Sequence, residues 1–386
     1  MSAHDALMAA SLWMTAWMAP PAPQVLSAPE FPERVSPSFA DETVVQHVRL
    51  AIGGKRLRVR FSNAYGDRPI AIEGVTIALR NGAGHYARPM HMTFAGNDRM
   101  VMPAHGQVLS DAVDLATIPL QEMRISLYLP GPTGPCTCHS RGEDPTQVFK
   151  GRSARPGAVP DRRVQQRVFL SGIDVAGSTA KRLVVAFGDS ITDGVGSTIA
   201  ANRRWPDLFA ERVLDAGVNI GIVNAGIAGN YLTRTGEYPS FGEAGLARFK
   251  RDALEVPGAT DTVILLGIND IGGEPDVGER LIAGYRQLIA DAHARRIRVF
   301  LGTIPPFRGS TFFTEAGEQS RLRVNAWIRA DNPADGIIDF DRALRDPANP
   351  GRVDPRFHSG DWLHPNDDGY RVMARAIDPA IFAKPR

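Results

Sequence analysis

Leu183-Val184-Val185-Ala186-Phe187 runs straight into Gly188-Asp189-Ser190-Ile191-Thr192-Asp193-Gly194. An unbroken apolar run of this kind reads as a strand buried on both faces. Such strands belong to parallel sheets covered by helices. The flanking glycines let the backbone turn sharply. A serine is therefore delivered just past a strand end, ahead of a helical region.

Downstream the same grammar repeats. Apolar runs at Ile220–Val223, Thr262–Leu266, Val299–Leu301 and Gly336–Phe340 alternate with amphipathic stretches near 204–216, 243–254, 277–295, 315–330 and 367–377. The alternation predicts an α/β domain over 182–386, a five-stranded parallel sheet in three layers with helices on both faces. Active sites of such sheets lie at the C-terminal ends of the strands.

Upstream the period changes to two. Leu57, Val59 and Phe61 alternate with Arg56, Arg58 and Arg60, and Met123, Ile125, Leu127 and Leu129 alternate with Arg124, Ser126 and Tyr128. Val44–Ile52 and Ile70–Leu79 behave alike, and Arg167–Val175 reads as a last strand. Residues 1–175 are thus expected to form an all-β sandwich or jelly-roll-like domain, joined by a linker at 176–181. The stretch 131–163, rich in Gly, Pro and charge, reads as a long surface loop. The arginine stripe reads as a solvated sheet face.

Bulk properties exclude several classes. Forty-four basic and 42 acidic residues leave a net charge of +2, and the basic residues are scattered, so no nucleic-acid partner is expected. Residues 6–20 are apolar, but MSAHD ahead of them lacks the basic residues of a signal peptide, and the segment reads as a first strand. No run reaches the roughly 18 apolar residues of a membrane span, so a soluble chain is expected. Absence of an intact signal peptide still leaves an extracytoplasmic site open for a processed form. Cys136 and Cys138, separated by Thr137, read as two thiols in a turn, because a bridge across one residue is expected to be strained. No other Cys/His cluster stands at ligand spacing, so no metal is expected.

Polar residues interrupt the other strand ends too. Asn224 to Asn230 follows the second run, and Gly229 within it can bring a backbone N–H close to a substrate oxygen. Gly267-Ile268-Asn269-Asp270 follows the third, where the Asn269 amide can donate to a developing oxyanion or cap the strand end. Asp361-Trp362-Leu363-His364-Pro365-Asn366 lies near the C-terminus. An Asp three residues before a His can fold back to hold the imidazole, which then takes the serine proton. Asp189 and Asp270 read as structural carboxylates. The serine segment is not the G-x-S-x-G elbow, since Thr192 stands where the second glycine belongs.

These blocks, in this order over 182–380, resemble the SGNH/GDSL hydrolase family. The resemblance implies Ser190 as nucleophile, His364 as base and then acid, and Asp361 as its orienting carboxylate. It implies an oxyanion hole from the Ser190 and Gly229 backbone N–H groups and Asn269, with no cofactor. The Trp13–Trp17 opening, RVRFSNAYGDRP and SLYLPGPTGP resemble the β-sandwich that precedes the catalytic domain in a bacterial subset of the family.

The expected activity is hydrolysis of carboxylic esters, foremost short acyl groups on a small molecule or glycan. A lipase or lysophospholipase acting on longer chains is the alternative. A non-catalytic glycan-binding protein on the same scaffold is the reading from another class. Tyr238, Phe307, Phe312 and Phe313 lie in loops after the second and fourth strands and are candidates for the substrate pocket or for packing. His358, four residues after Asp354, is the rival base or a pocket residue.

Overall fold

The computed structural model describes residues 13–152 and 158–383. Chain contacts divide the molecule into two compact units, one built mainly on the chain up to Leu183, the other on Val184–Val218, Asn224–Glu255 and Ala259–Arg386.

The later unit carries a five-stranded sheet in the order Ile220–Gly226, Arg182–Gly188, Asp261–Leu265, Arg298–Gly302, Gly336–Ile338. Its strands run parallel, with Val185 opposite Thr262 and Val263 opposite Phe300. In chain order this is 2-1-3-4-5, a doubly wound topology whose ligands bind where the order reverses, beyond the strand ends. Here that point lies between Arg182–Gly188 and Asp261–Leu265, so Ser190 and Asn269 leave adjacent strands at the reversal. Leu183 to Phe187 are all fully buried, as a strand covered on both faces requires.

Helices Trp205–Asp215, Gly278–Ala294, Glu315–Ala330 and Asp367–Ala376 fall on the amphipathic stretches. Gly245–Phe249 runs into a π-helical turn, Lys250–Leu254. Trp205–Asp215 packs on Asp367–Ala376, and Gly278–Ala294 packs on Glu315–Ala330. Gly278–Ala294 buries Leu281, Ile282, Tyr285, Leu288, Ile289 and Ala292, the spacing of one helix face. Thr314 and Asn366 accept from Gly317 N and Gly369 N, capping the two later helices. The last strand ends at Ile338 rather than Phe340, because Asp339 caps a short helix, Phe340–Leu344. No helix among the described residues is long and apolar enough to cross a membrane.

The earlier unit is antiparallel. One sheet pairs Met14–Met18, Leu170–Ala176, Arg56–Ser62 and Gln107–Leu109 in that order. A second contains Arg162–Val164, Thr146–Lys150, Glu42–Arg49, Glu122–Leu129, Ile70–Leu79 and Met90–His91. Leu57, Val59, Met123, Ile125, Leu127 and Leu129 are fully buried, the inward half of the alternation. Of the apolar segment 6–20, residues 6–12 lie outside the described residues.

Three expectations for this unit do not hold. The arginine stripe is not simply solvated: Asp174, fully buried opposite Arg58, accepts from Arg58 Nε at 3.1 Å and Arg60 Nη2 at 2.6 Å. Cross-strand pairing supplies the charge that a strand read alone lacks. The stretch 131–163 is not one surface loop, since it contains Cys138–His139, Thr146–Lys150 and Arg162–Val164. Its polar residues are compatible with burial because they take main-chain hydrogen bonds, as when Thr137 Oγ1 accepts from Tyr65 N at 3.1 Å. Cys136 and Cys138 are disulfide-bonded rather than free. Their Cα atoms are 5.6 Å apart, inside the range a bridge uses, because the chain bends at Thr137 instead of running extended.

Candidate active site

Ser190 opens a four-residue helix, Ser190–Asp193. Asp189 caps it by accepting from Ile191 N at 3.0 Å, and Gly194, at φ +112°, ends it. Gly188 has no room for a side chain, since a Cβ there would lie 2.5 Å from Leu265 O. The turn GDSITDG is thus built by a cap on one side and glycines where the chain is tight or left-handed.

The loop after Ile220–Gly226 is held from the same segment. Asp193 Oδ2 accepts from Ala228 N at 3.0 Å, and Asn224 Nδ2 donates to Thr192 O at 2.7 Å. Gly229 has φ +83°, and a Cβ on it would meet the Phe241 ring at 2.2 Å. Only glycine meets both conditions. Asn269 is the second residue of the helix Ile268–Gly273, whose N-cap position belongs to Gly267. Its Nδ2 donates to Asn230 O at 2.9 Å, which accounts for one of the amide's two hydrogens.

The C-terminal loop closes the arrangement. His364 Nε2 lies 2.9 Å from Ser190 Oγ, and His364 Nδ1 lies 2.6 Å from Asp361 Oδ2. Asp361 Oδ1 accepts from His364 N at 2.9 Å and Leu363 N at 3.0 Å. Partial burial works against ionisation of Asp361, but the hydrogen bond and charge of His364 and the two backbone N–H groups outweigh it. They hold the carboxyl well below its ordinary range. A serine hydroxyl on an imidazole, itself held by a carboxylate, is an arrangement able to transfer the serine proton during attack on a carbonyl.

The remaining sequence candidates sit as follows. His358 does not pair with Asp354, whose carboxylate takes Arg356 Nε at 3.0 Å and Nη2 at 2.7 Å. Its Nδ1 instead accepts from Gly360 N at 3.0 Å. Phe307 is fully buried, with its ring centre 5.3 Å from that of Phe313, so it has no surface to offer a substrate. Phe312 is 49% exposed. Tyr238 packs edge-on to Phe241, the ring beside Gly229.

Two buried carboxylates surround this region. Asp270 accepts from Leu232 N at 2.7 Å and from Thr233 N at 2.9 Å. Asp189 has its pKa pushed up to about 7, first by burial and further by Asp270, against the Ile191 hydrogen bond and Arg248.

Arg248 was not among the residues singled out by sequence. It is fully buried and donates from Nη2 to Gly188 O at 2.8 Å, from Nη1 to Ala225 O at 2.9 Å and from Nε to Asn230 Oδ1 at 2.9 Å. It thereby ties the strand end before Ser190 to the loop that carries Gly229. Asp252, four residues on, lies 3.3 Å from Nη1. That i,i+4 spacing is the one trace the pair leaves in the sequence. Among the described residues no group of three or more His, Cys, Asp or Glu side chains could hold a metal ion.

Residues 186–372 match the family described as GDSL-like Lipase/Acylhydrolase. This segment is a GDSL-like lipase/acylhydrolase domain. The chain that carries it is a carboxylic ester hydrolase. A comparison with curated proteins gave no match.

Several solved structures are similar to this chain. A putative lipolytic protein of the G-D-S-L family from Desulfitobacterium hafniense is 20% identical, with 51% of this chain and 100% of that one covered, at a TM-score of 0.41. A family two carbohydrate esterase from Clostridium thermocellum, in complex with cellohexaose, is 13% identical over 94% of this chain and 96% of that one, at 0.40. A carbohydrate esterase family 2 enzyme plus carbohydrate binding domain from Corynascus thermopiles is 14% identical over 95% and 98%, at 0.42.

Proposed function

We propose that this hydrolase removes short acyl groups, foremost acetyl, from a carbohydrate through an acyl-enzyme on Ser190. The observation that carries the catalytic reading is the 2.9 Å contact between His364 Nε2 and Ser190 Oγ, with Asp361 on the far side of the ring.

His364 takes the proton of Ser190 as Oγ forms a bond to the ester carbonyl carbon and the carbonyl π electrons move to oxygen. The Ser190 and Gly229 backbone N–H groups and the second amide hydrogen of Asn269 receive that oxyanion. Collapse of the tetrahedral intermediate expels the alcohol, which leaves with the proton from His364. Water, deprotonated by the same imidazole, then attacks the acyl-enzyme and frees the acid. Asp361 stays ionised throughout and stabilises the imidazolium.

Two features support the substrate class. Of the three rings of this loop, Phe307 and Phe313 pack on one another and Phe312 alone is 49% exposed, which leaves little aromatic wall for a long acyl chain. Ser359, whose N–H donates to His364 O, and Asp361, which holds the His364 ring, are polar, which suits a hydroxyl-rich alcohol.

Hydrolysis of p-nitrophenyl esters from acetate to palmitate, by wild type and Ser190→Ala side by side, tests this reading. Activity confined to short esters and lost in the variant is expected, together with acetate release from an acetylated glycan. Ser190-dependent activity that peaks at long chains would replace the glycan ester with a lipid.

A further inference from the structure

The loop that brings Asp361 and His364 to Ser190 is closed at its base by main-chain bonds. Ser359 N donates to His364 O at 2.8 Å, and Asn366 N donates to Phe357 O at 2.9 Å. Inside that closure the backbone is not relaxed. Trp362, the residue after Asp361, has φ +60°, a left-handed conformation that a bulky side chain rarely adopts. Such a conformation persists only where its surroundings over-determine it.

The surroundings can be named. The Trp362 ring lies between the His358 ring, stacked at 3.9 Å between centroids, and the Arg352 guanidinium, 3.8 Å from the indole centroid. Gly309 backs the same indole, since a Cβ there would come within 3.0 Å of its Cγ. His358 Nδ1 accepts from Gly360 N at 3.0 Å and faces Trp362 N at 3.4 Å. One nitrogen lone pair thus holds the backbone on both sides of Asp361.

We infer that His358 is a positioning residue for the hydrolysis, whose unprotonated Nδ1 fixes the Gly360–Trp362 turn and so aims the Asp361 carboxylate at His364. It touches neither Ser190 nor the reacting atoms; it acts through the loop. The inference rests on the proposed Ser190–His364–Asp361 chemistry.

The requirement is for one protonation state. Nδ1 can accept from the two N–H groups only while it carries no proton. Imidazolium would turn both contacts into donor facing donor and release the turn. The charged groups that act on the ring are Asp361 on the turn and Arg352 across the indole, while Asp354 and Arg356 of the preceding segment pair with each other. Burial and Arg352 favour the neutral ring, Asp361 opposes them, and the net effect lowers the imidazole's pKa from its ordinary value. Catalysis therefore needs two neutral imidazoles, His364 to take the proton and His358 to hold the loop.

The test is the acid limb of the kcat/KM profile for p-nitrophenyl acetate, a substrate that does not itself titrate. Wild type, His358→Asn, His358→Phe and Ser190→Ala are compared. The Asn side-chain oxygen replaces the Nδ1 acceptor and does not titrate in this range. Phenylalanine keeps the ring stack on Trp362 and has no acceptor. The expected wild-type plot of log kcat/KM against pH steepens from slope 1 to slope 2 on the acid side, while His358→Asn stays at slope 1 and keeps most of its activity at neutral pH. His358→Phe loses up to about 100-fold in kcat with little change in KM. A role confined to loop stability would lower activity in both variants without changing the slope. Wild type and His358→Asn sharing one slope, or His358→Phe matching wild type, would overturn the inference and leave the esterase reading intact. Wild-type activity equal to that of Ser190→Ala would instead overturn the catalytic reading, and this inference with it.

Discussion

His364 Nε2 reaches Ser190 Oγ at 2.9 Å across 174 residues of sequence. The serine is fixed at the end of a fully buried strand, whereas the histidine rides on a loop just before a helix. This hydrogen bond joins the strand-borne and loop-borne halves of the site. Substitutions in the 358–366 loop are therefore expected to cost more activity than substitutions within the strands.

Asp361 tests that loop directly. Asp361→Asn keeps the size of the side chain but removes the charge that stabilises imidazolium and fixes its tautomer. The expected loss in kcat is up to about 10⁴-fold. It should remain smaller than the loss in Ser190→Ala, measured with the same short ester. A variant within a few-fold of wild type would place the orienting charge elsewhere.

The oxyanion donors make separable predictions. Asn269→Ala should lower kcat by about 10²–10³-fold with the fold intact. Gly229→Ala should lower kcat and also destabilise the chain, because φ +83° puts the new Cβ into the Phe241 ring. The left-handed backbone alone costs a residue with a Cβ about 1–2 kcal/mol. Kinetics with guanidinium denaturation of both variants checks the split. Wild-type rates in Asn269→Ala would remove its amide from the oxyanion hole.

Asp189 makes a pH prediction. Its pKa is raised to about 7 in the folded chain, from an ordinary 3.8. The neutral carboxyl is the form the interior favours. Its stabilising contribution is complete below pH 3.8 and is lost as pH rises through about 7. Asp189→Asn keeps an acceptor for Ile191 N and has nothing to ionise. The fall in Tm between pH 5 and pH 8 should be shallower in that variant than in wild type. Parallel curves would contradict a buried, titrating Asp189.

Arg248 predicts a stability loss. Replacing it with methionine leaves Asp252 paired with Arg251 but takes from the Gly188 and Ala225 carbonyls and Asn230 Oδ1 a donor they now have. A buried acceptor left without its donor costs about 1–3 kcal/mol. Urea unfolding of Arg248→Met should show a loss of that order.

Much of the later domain was legible because strands covered on both faces must be continuously apolar, and Leu183–Phe187 and Thr262–Leu266 read so plainly. Helices such as Glu315–Ala330 announce themselves by period and by a Thr cap. The positions of Ser190, Asn269 and His364 could be read from strand ends and the Asp361 spacing. Arg248 was not legible, because its acceptors are main-chain carbonyls that no sequence displays. Nor was the neutralised stripe at Arg58 and Arg60, whose partner Asp174 lies more than a hundred residues away. The disulfide at Cys136 depends on a bend at Thr137 that adjacency alone does not reveal.

Labelling by a fluorophosphonate probe, mapped by peptide mass spectrometry, tests whether Ser190 is the nucleophile that His364 activates. Phosphonylation needs an activated serine oxygen and reports which one. One label per chain is expected, on Ser190, with a rate lowered by about 10²–10⁴-fold in His364→Ala. A label on another residue, or labelling of Ser190 at an unchanged rate without His364, would contradict it.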